Sequence, residues 1–197
     1  EMVQHVYDIT YGTLRAGQDT LVVIDDSIVR GTTLKESIIR MLSRLKPKRI
    51  IVVSSSPQIR YPDCYGIDMS RMGDFIAFNA AVALLKERGM ENTLTELHEK
   101  CKELQRNNLL HTENIVKQVY KPFTAEEIAA KIAQLITPKD LDIPVDVIFQ
   151  SIEDLHKACP NNLGDWYFTG NYPTPGGNKV VNKAFINYME GRNVRGY

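Results

Sequence analysis

An α/β fold, a parallel sheet followed by a mostly helical C-terminal region, is what three features of the sequence predict. Leu21 to Ile24 form a short apolar run that stops abruptly in Asp25-Asp26-Ser27; Leu34, Ile38, Leu42 and Leu45 then recur at helical spacing; Ile50 to Val53 supply a second, β-branched run. Continuous apolar runs of this length read as strands buried on both faces of a parallel sheet. Strand, loop, helix and strand in that order make one βαβ unit.

Each element has a local cause. The β-branched residues of 50–53 pack well on a pleated surface, and Pro47 stops the helix before them because it lacks the N–H that a further turn needs. Beyond Pro57 the pattern changes: Pro57, Pro62, Gly66 and Gly73 punctuate a loop that carries Tyr61, Tyr65 and Asp68. Helices follow. Ile76, Ala80, Leu84 and Leu85 mark one apolar face, and Thr93 with Glu96 reads as a capping box opening a helix through Leu97, Cys101 and Leu104. Thr124 with Glu127 repeats that signature ahead of Ile128, Ile132 and Leu135. A further helix is expected from Val145 to Ala158, then a turn-rich aromatic stretch from Asn161 to Asn178, and a last helix near Val181 to Met189. The domain boundary is placed near Lys121-Pro122, dividing 1–121 from a helical extension, 122–197.

Composition narrows the function. The chain has 197 residues, 43% of them hydrophobic, enough for one packed domain with an appended subdomain. Lysine plus arginine equal aspartate plus glutamate at 24 each, so no net field draws the molecule onto nucleic acid or an acidic membrane. The apolar runs are strand-length and far too short to cross a bilayer. Cys64, Cys101 and Cys159 form no C-x-x-C pair, which argues against a disulfide framework or a zinc site and fits a reducing cytoplasm. His98 and Cys101, one helical turn apart, are two ligands at most and read as surface helix. Lys46, Lys48 and Arg49 read as a solvated helix end, and Gly176-Gly177 as a turn. Leu109, Leu110, Ile115 and Val116 are expected to pack on the core or on a neighbouring subunit. The chain opens Glu1-Met2, with no initiator methionine in first place, and is expected to be preceded by further sequence.

The chemistry concentrates in residues 21–33. Ligands of open α/β sheets bind outside the carboxyl ends of the strands, so Asp25 and Asp26 are expected to project into that crevice, where carboxylates bind ribose hydroxyls or Mg²⁺. The loop behind them leads to a helix starting near Thr33, whose N–H groups and dipole favour an anion. Gly31 lets the backbone approach a phosphate closely, and Ser27, Thr32 and Thr33 add neutral hydroxyl donors. Carboxylates for a sugar and amides for a phosphate describe a sugar 5-phosphate. Taken alone, an Asp-Ser turn after a buried strand is also ordinary N-capping chemistry with no ligand.

The full string Asp25, Asp26, Ser27, Ile28, Val29, Arg30, Gly31, Thr32, Thr33, behind four apolar residues, resembles the phosphoribosyl pyrophosphate motif of type I phosphoribosyltransferases. Its wording is similar to that of the glutamine amidophosphoribosyltransferases rather than of the hypoxanthine, orotate or adenine enzymes. A second block, Ser55 to Met69, resembles the segment of the same family that forms part of the active-site wall, with Tyr65, Gly66 and Asp68 at its centre. The likeness is strongest from Leu21 to about Lys86 and returns at Phe168 to Thr174.

The resemblance implies a Rossmann-like parallel sheet of the type I phosphoribosyltransferase fold, with 1–121 as the C-terminal part of that domain. It implies that Asp25 and Asp26 bind Mg²⁺ and the ribose hydroxyls, that Ser27 to Thr33 hold the 5-phosphate, and that glutamine-derived ammonia attacks the anomeric carbon as pyrophosphate leaves. Positioning and charge neutralisation carry that step, and no general base stands out in this stretch. The product is 5-phosphoribosylamine, the first intermediate of purine synthesis. The resemblance further implies purine nucleotides as feedback inhibitors and a cytoplasmic homo-oligomer, with neither nucleic acid nor membrane as partner.

Two departures accompany it. Many members hold an iron–sulfur cluster on cysteines at positions that fall here on Asp63, Gly164 and Tyr167, with Cys64 and Cys159 out of register, so no iron–sulfur cluster is expected. The family's N-terminal glutaminase domain, with its cysteine nucleophile, its pyrophosphate loop and its flexible loop, would lie upstream of Glu1, so this chain is expected to be incomplete and inactive alone. Two other readings remain: a non-catalytic sensor of phosphoribosyl pyrophosphate or nucleotide on the same fold, and a type I transferase acting on a free base. Nothing in the sequence reads as a DNA-binding element, which counts against the first, and the block at Tyr65 to Asp68 counts against the second.

Overall fold

A computed structural model describes residues 12–64, 69–161 and 164–196. Three parallel strands, β1 (Thr20–Asp25), β2 (Arg49–Ser54) and β3 (Val145–Phe149), form one sheet in the order β1-β2-β3. Leu21 faces Ile50 and Ile50 faces Val145, so the rows run straight across the sheet.

Alternation decides which residues meet the core. Ile50, Val52 and Val147 are buried on one face, whereas Val22, Ile24 and Ile148 on the other are 55%, 76% and 52% exposed. In register, Ile24, Val53 and Ile148 make an apolar row along the open face. The expectation that β1 is buried on both faces is therefore corrected. Among the described residues β1 is an edge strand, and the helices that cover the sheet lie on the Ile50 side.

The predicted crossover helix opens with π-helical turns at Leu34–Ile38 and continues as α1 (Ile39–Ser43). Leu34 and Ile39 fix it to the core. It ends in a left-handed turn at Lys46, φ 52°, and Pro47 follows. After a 3-10 turn at Met72–Asp74, α2 (Ile76–Glu87) is the central helix, with Ile76, Ala77, Phe78, Ala80, Ala81, Val82 and Leu85 buried. Phe78 meets Tyr188 edge-on at 4.8 Å and Phe185 at 6.3 Å, and burying such a ring contributes about 2 kcal/mol.

The helix α3 (Asn92–Arg106) starts one residue before Thr93 and carries no side-chain cap, so the Thr93–Glu96 capping box is corrected. The first turn begins earlier, with the Thr93 and Leu94 N–H groups on the Met90 and Glu91 carbonyls, so Thr93 lies inside the helix rather than at its cap. Cys101 lies on the buried side of α3, where burial pushes its thiol up to about 12, and His98 stands 3.7 Å from the Glu190 carboxylate. This side of α3 faces α8 rather than solvent. Leu110, Ile115 and Val116 enter the core and Leu109 stays exposed.

A short helix, α4 (Lys117–Tyr120), precedes α5 (Ala125–Ile136). Here the capping box forms as predicted: Glu127 N–H donates to Thr124 Oγ1 and Thr124 N–H to Glu127 Oε2. The helix expected from Val145 to Ala158 is corrected. Val145-Asp-Val-Ile-Phe adds itself to the free edge of β2 as β3, and α6 (Ile152–Ala158) starts only after Ser151, whose hydroxyl accepts from Asp154 N–H at 3.0 Å. The sheet thus draws strands from both sides of Lys121-Pro122.

After α7 (Trp166–Thr169), α8 (Pro175–Met189) starts six residues earlier than the apolar pattern indicates. Gly176-Gly177, read as a turn, is its first turn behind Pro175, a residue suited to that position. Gly177 has to be glycine, because a Cβ there would stand 2.3 Å from the Tyr172 ring. The structure is an α/β sheet with a helical C-terminal region, as the sequence predicts. No described helix is long and apolar enough to cross a membrane.

Candidate functional site

The carboxyl ends of all three strands are tied to one another. Ser55 donates to the Asp25 carbonyl through both its N–H and its hydroxyl, each at 2.9 Å, and Gln150 N–H donates to the Ser54 carbonyl at 3.1 Å. This fixes the base from which Asp25 and Asp26 project.

Asp25 is half-buried and Asp26 exposed. Asp26 N–H donates to Asp25 Oδ1 at 3.0 Å, and Ser27 N–H to Asp26 Oδ1 at 2.8 Å. One oxygen of each carboxylate thus serves the local turn and orients the group. Burial pushes the Asp25 carboxyl up from its ordinary value, opposed by the Asp26 N–H. Adjacent carboxylates, one half-buried and one exposed, are oxygen donors of the kind that a hard divalent cation takes while keeping part of its water.

The loop behind the pair is pinned at several points. Ile28 is buried in the core, and the Val29 carbonyl accepts from Ile76 N–H at 2.8 Å, joining the loop to the start of α2. The Arg30 guanidinium lies 3.6 Å from the Asp74 carboxylate. Gly31 adopts φ 71°, its carbonyl accepts from Lys35 N–H at 3.0 Å, and a Cβ there would come within 3.0 Å of Ile136 and 3.2 Å of Ile76. Glycine is required at this position twice over, by backbone conformation and by close packing. Thr32 and Thr33 are exposed at the entry to the helical turns.

The predicted residues therefore divide by role. Asp25, Asp26 and Ser27 gather at the strand end and Gly31, Thr32 and Thr33 at the helix start, while Ile28 and Val29 anchor the loop between them. Tyr65, Gly66 and Asp68 lie outside the described residues. Sequence reasoning missed Asp74, whose only signal was an acid just ahead of α2, and it missed Ile136, which reaches Gly31 from 105 positions away. A cavity of about 610 Å³ lies elsewhere, between α5 and β3, with Gln58, Arg60 and Phe149 in its wall.

The cluster-ligand positions implied by the resemblance do not fit an iron–sulfur group. Gly164 has no side chain to offer, and the Tyr167 hydroxyl donates to Asp63 at 3.1 Å. Among the described residues no three His, Cys, Asp or Glu side chains converge on a metal position.

A parallel sheet with paired carboxylates at a strand's carboxyl end and a glycine loop entering a helix is consistent with the type I phosphoribosyltransferase fold. Comparison with known proteins carries the likeness to a particular family. The chain is similar to curated amidophosphoribosyltransferases: 45% identical over 62 residues to that of Pasteurella multocida, covering 32% of this chain and 12% of the relative. The Escherichia coli protein is 40% identical over 67 residues, 34% of this chain and 13% of the relative. That of Saccharomyces cerevisiae is 37% identical over 87 residues, 42% of this chain and 17% of the relative. The matched stretch thus spans well under a fifth of these relatives' length. No family model matches the chain.

Proposed function

We propose that this chain is the ribose 5-phosphate-binding part of an amidophosphoribosyltransferase, a glycosyltransferase that moves glutamine-derived ammonia onto phosphoribosyl pyrophosphate and yields 5-phosphoribosylamine for purine synthesis. The observation that carries the reading is Gly31. Its positive φ and its close approach to Ile76 and Ile136 turn the loop between the Asp25–Asp26 pair at the strand end and Thr32–Thr33 at the helix start, which supports a ligand site on that loop. In this reading Asp25 and Asp26 hold Mg²⁺ and the ribose hydroxyls, and Ser27 to Thr33 receive the 5-phosphate. The cation, when bound, neutralises charge on the pyrophosphate as it leaves. The residues themselves position the sugar so that ammonia meets its anomeric carbon.

The open sheet face with Val22, Ile24 and Ile148 supports a larger assembly. An apolar row of this kind is a surface that further protein covers. We assign that cover to the upstream phosphoribosyltransferase portion, with the glutaminase domain beyond it, in a cytoplasmic homo-oligomer inhibited by purine nucleotides. The test is calorimetric titration of ribose 5-phosphate into the chain with Mg²⁺, beside Asp26→Ala. Saturable heat that the substitution abolishes supports the site; equal heat from both proteins refutes the assignment of Asp26.

A further inference from the structure

Arg60 carries a charge with a fixed direction and no counter-charge. Its Nε and Nη2 donate to Gln58 Oε1 at 3.2 and 2.7 Å, and its guanidinium lies 5.2 Å from the centre of the Tyr120 ring. Gln58 is only 4% exposed and is itself held, donating Nε2 to the Ala125 carbonyl at 2.7 Å. The Tyr120 hydroxyl donates to the Arg60 carbonyl at 2.7 Å, and Arg60 N–H to the Tyr167 carbonyl at 2.8 Å, so main chain and side chain are both fixed. Among the described residues no carboxylate pairs with this half-buried group, and the Nη1 end of its fork has no acceptor. A guanidinium withdrawn from water is ordinarily paired, and its planar fork suits two oxygens of a phosphate or a carboxylate.

Arg60 borders a cleft of about 380 Å³ that also carries Lys117, Gln118, Lys121 and Thr169. Among the described residues no acidic side chain lines it. Lys121 meets no protein partner there, and Lys117 donates to the Asn171 side-chain carbonyl, a neutral acceptor. The two lysines stand four residues apart on α4 and its C-terminal cap, where like charges repel unless an anion lies between them. Arg60 also borders the larger cavity between α5 and β3, but Glu126 and Glu153 line that one and disfavour an anion there.

We propose that Arg60, Lys117 and Lys121 form an oxyanion-binding site for a small molecule that carries a phosphate group. Three positive charges without an acid favour a dianionic phosphate over a monocarboxylate, and the Gln118 amide adds a neutral donor. None of residues 25–33 lines the cleft, so the site stands or falls independently of the ribose 5-phosphate reading.

The test is amine acetylation of the complete protein that contains this chain, followed lysine by lysine by mass spectrometry, in inorganic phosphate and in sodium chloride of matched ionic strength. Phosphate at twice its Kd is expected to slow acetylation of Lys117 and Lys121 about threefold. Lys157, exposed and paired with Asp154, should react at one rate in both salts. Lys121→Gln removes an exposed charge without a protein partner, so folding is not at stake, and it is expected to weaken the phosphate protection of Lys117 by about twofold or more. Arg60→Gln should abolish the protection, and Asp26→Ala should leave it intact. Equal protection in phosphate and chloride, or protection that survives in both Lys121→Gln and Arg60→Gln, overturns the site. Protection lost in Asp26→Ala overturns it too, since the phosphate then acts from the 25–33 loop. Without phosphate, acetylation of Lys117 and Lys121 as slow as that of the buried Lys131 shows that another part of the protein supplies the anion, and overturns the small-molecule occupant.

Discussion

Replacing Gly31 with alanine tests whether the loop is held by packing as well as by backbone conformation. The φ of 71° places an L-residue in the left-handed region, which costs about 1–2 kcal/mol. The added methyl would sit 3.0 Å from Ile136 Cγ2 and 3.2 Å from Ile76 Cγ1, and making room between two core isoleucines costs about 1 kcal/mol more. Gly89→Ala is the internal control, because Gly89 has φ 67° with nothing within 4 Å of the new methyl. Both variants share the backbone cost and the loss of unfolded-state entropy, so their difference isolates the contact. Urea unfolding followed by the fluorescence of the single tryptophan, Trp166, should place Gly31→Ala about 2–3 kcal/mol below wild type and about 1 kcal/mol below Gly89→Ala. Two variants within about 0.5 kcal/mol of each other would refute the packing half of the reasoning.

Two further outcomes are expected. Burial raises the Asp25 carboxyl above its ordinary 3.8, so the folded chain holds that proton more tightly than the unfolded one; the stabilisation is complete at low pH and is lost as pH rises through the raised value. Asp25→Asn should therefore unfold at higher urea than wild type at pH 7, lose that advantage below about pH 4, and fail to bind ribose 5-phosphate with Mg²⁺. Asn182 is fully buried, accepts from Ile115 N–H and donates to the Leu110 and Glu113 carbonyls at 2.9 and 2.7 Å, so Asn182→Ala strands three backbone groups and should cost about 3 kcal/mol in the same unfolding assay.

What the sequence made readable was whatever is decided locally. The βαβ unit, the α5 capping box and the Asp25 to Thr33 string depend on neighbours a few positions apart, and the structure forms the first two as predicted and sets the third between the end of β1 and the helical turns at Leu34–Ile38. The errors arise where distant chain decides. Val145 to Phe149 has an apolar content that suits helix or strand, and the free edge of β2 settles it. Thr93 has the spacing of a cap, but the turn that follows Gly89 starts the helix at Asn92 and leaves Thr93 inside it. Gly176-Gly177 looks like a loop until Tyr172 comes to lie against it. The apolar run of β1 was read as doubly buried because sequence records what a strand can bury, not what covers it. Of the candidate site, the carboxylates and glycine were readable; Asp74 and Ile136 were not, since each depends on a fold that brings other segments against the loop.

The position of β3 in the chain has a kinetic consequence. Leu21 finds Ile50 across one helix, but Ile50 meets Val145 only after most of the helices have been made. The longer closure costs only about 1 kcal/mol more in chain entropy, so the finished sheet is hardly less stable for it. Its timing is another matter, because non-local parallel pairing is slow to form. While the chain is synthesised, β2 waits with an unpaired edge and an apolar row beside it through the emergence of α2 to α5. Until β3 adds, that edge is open to pairing with another molecule.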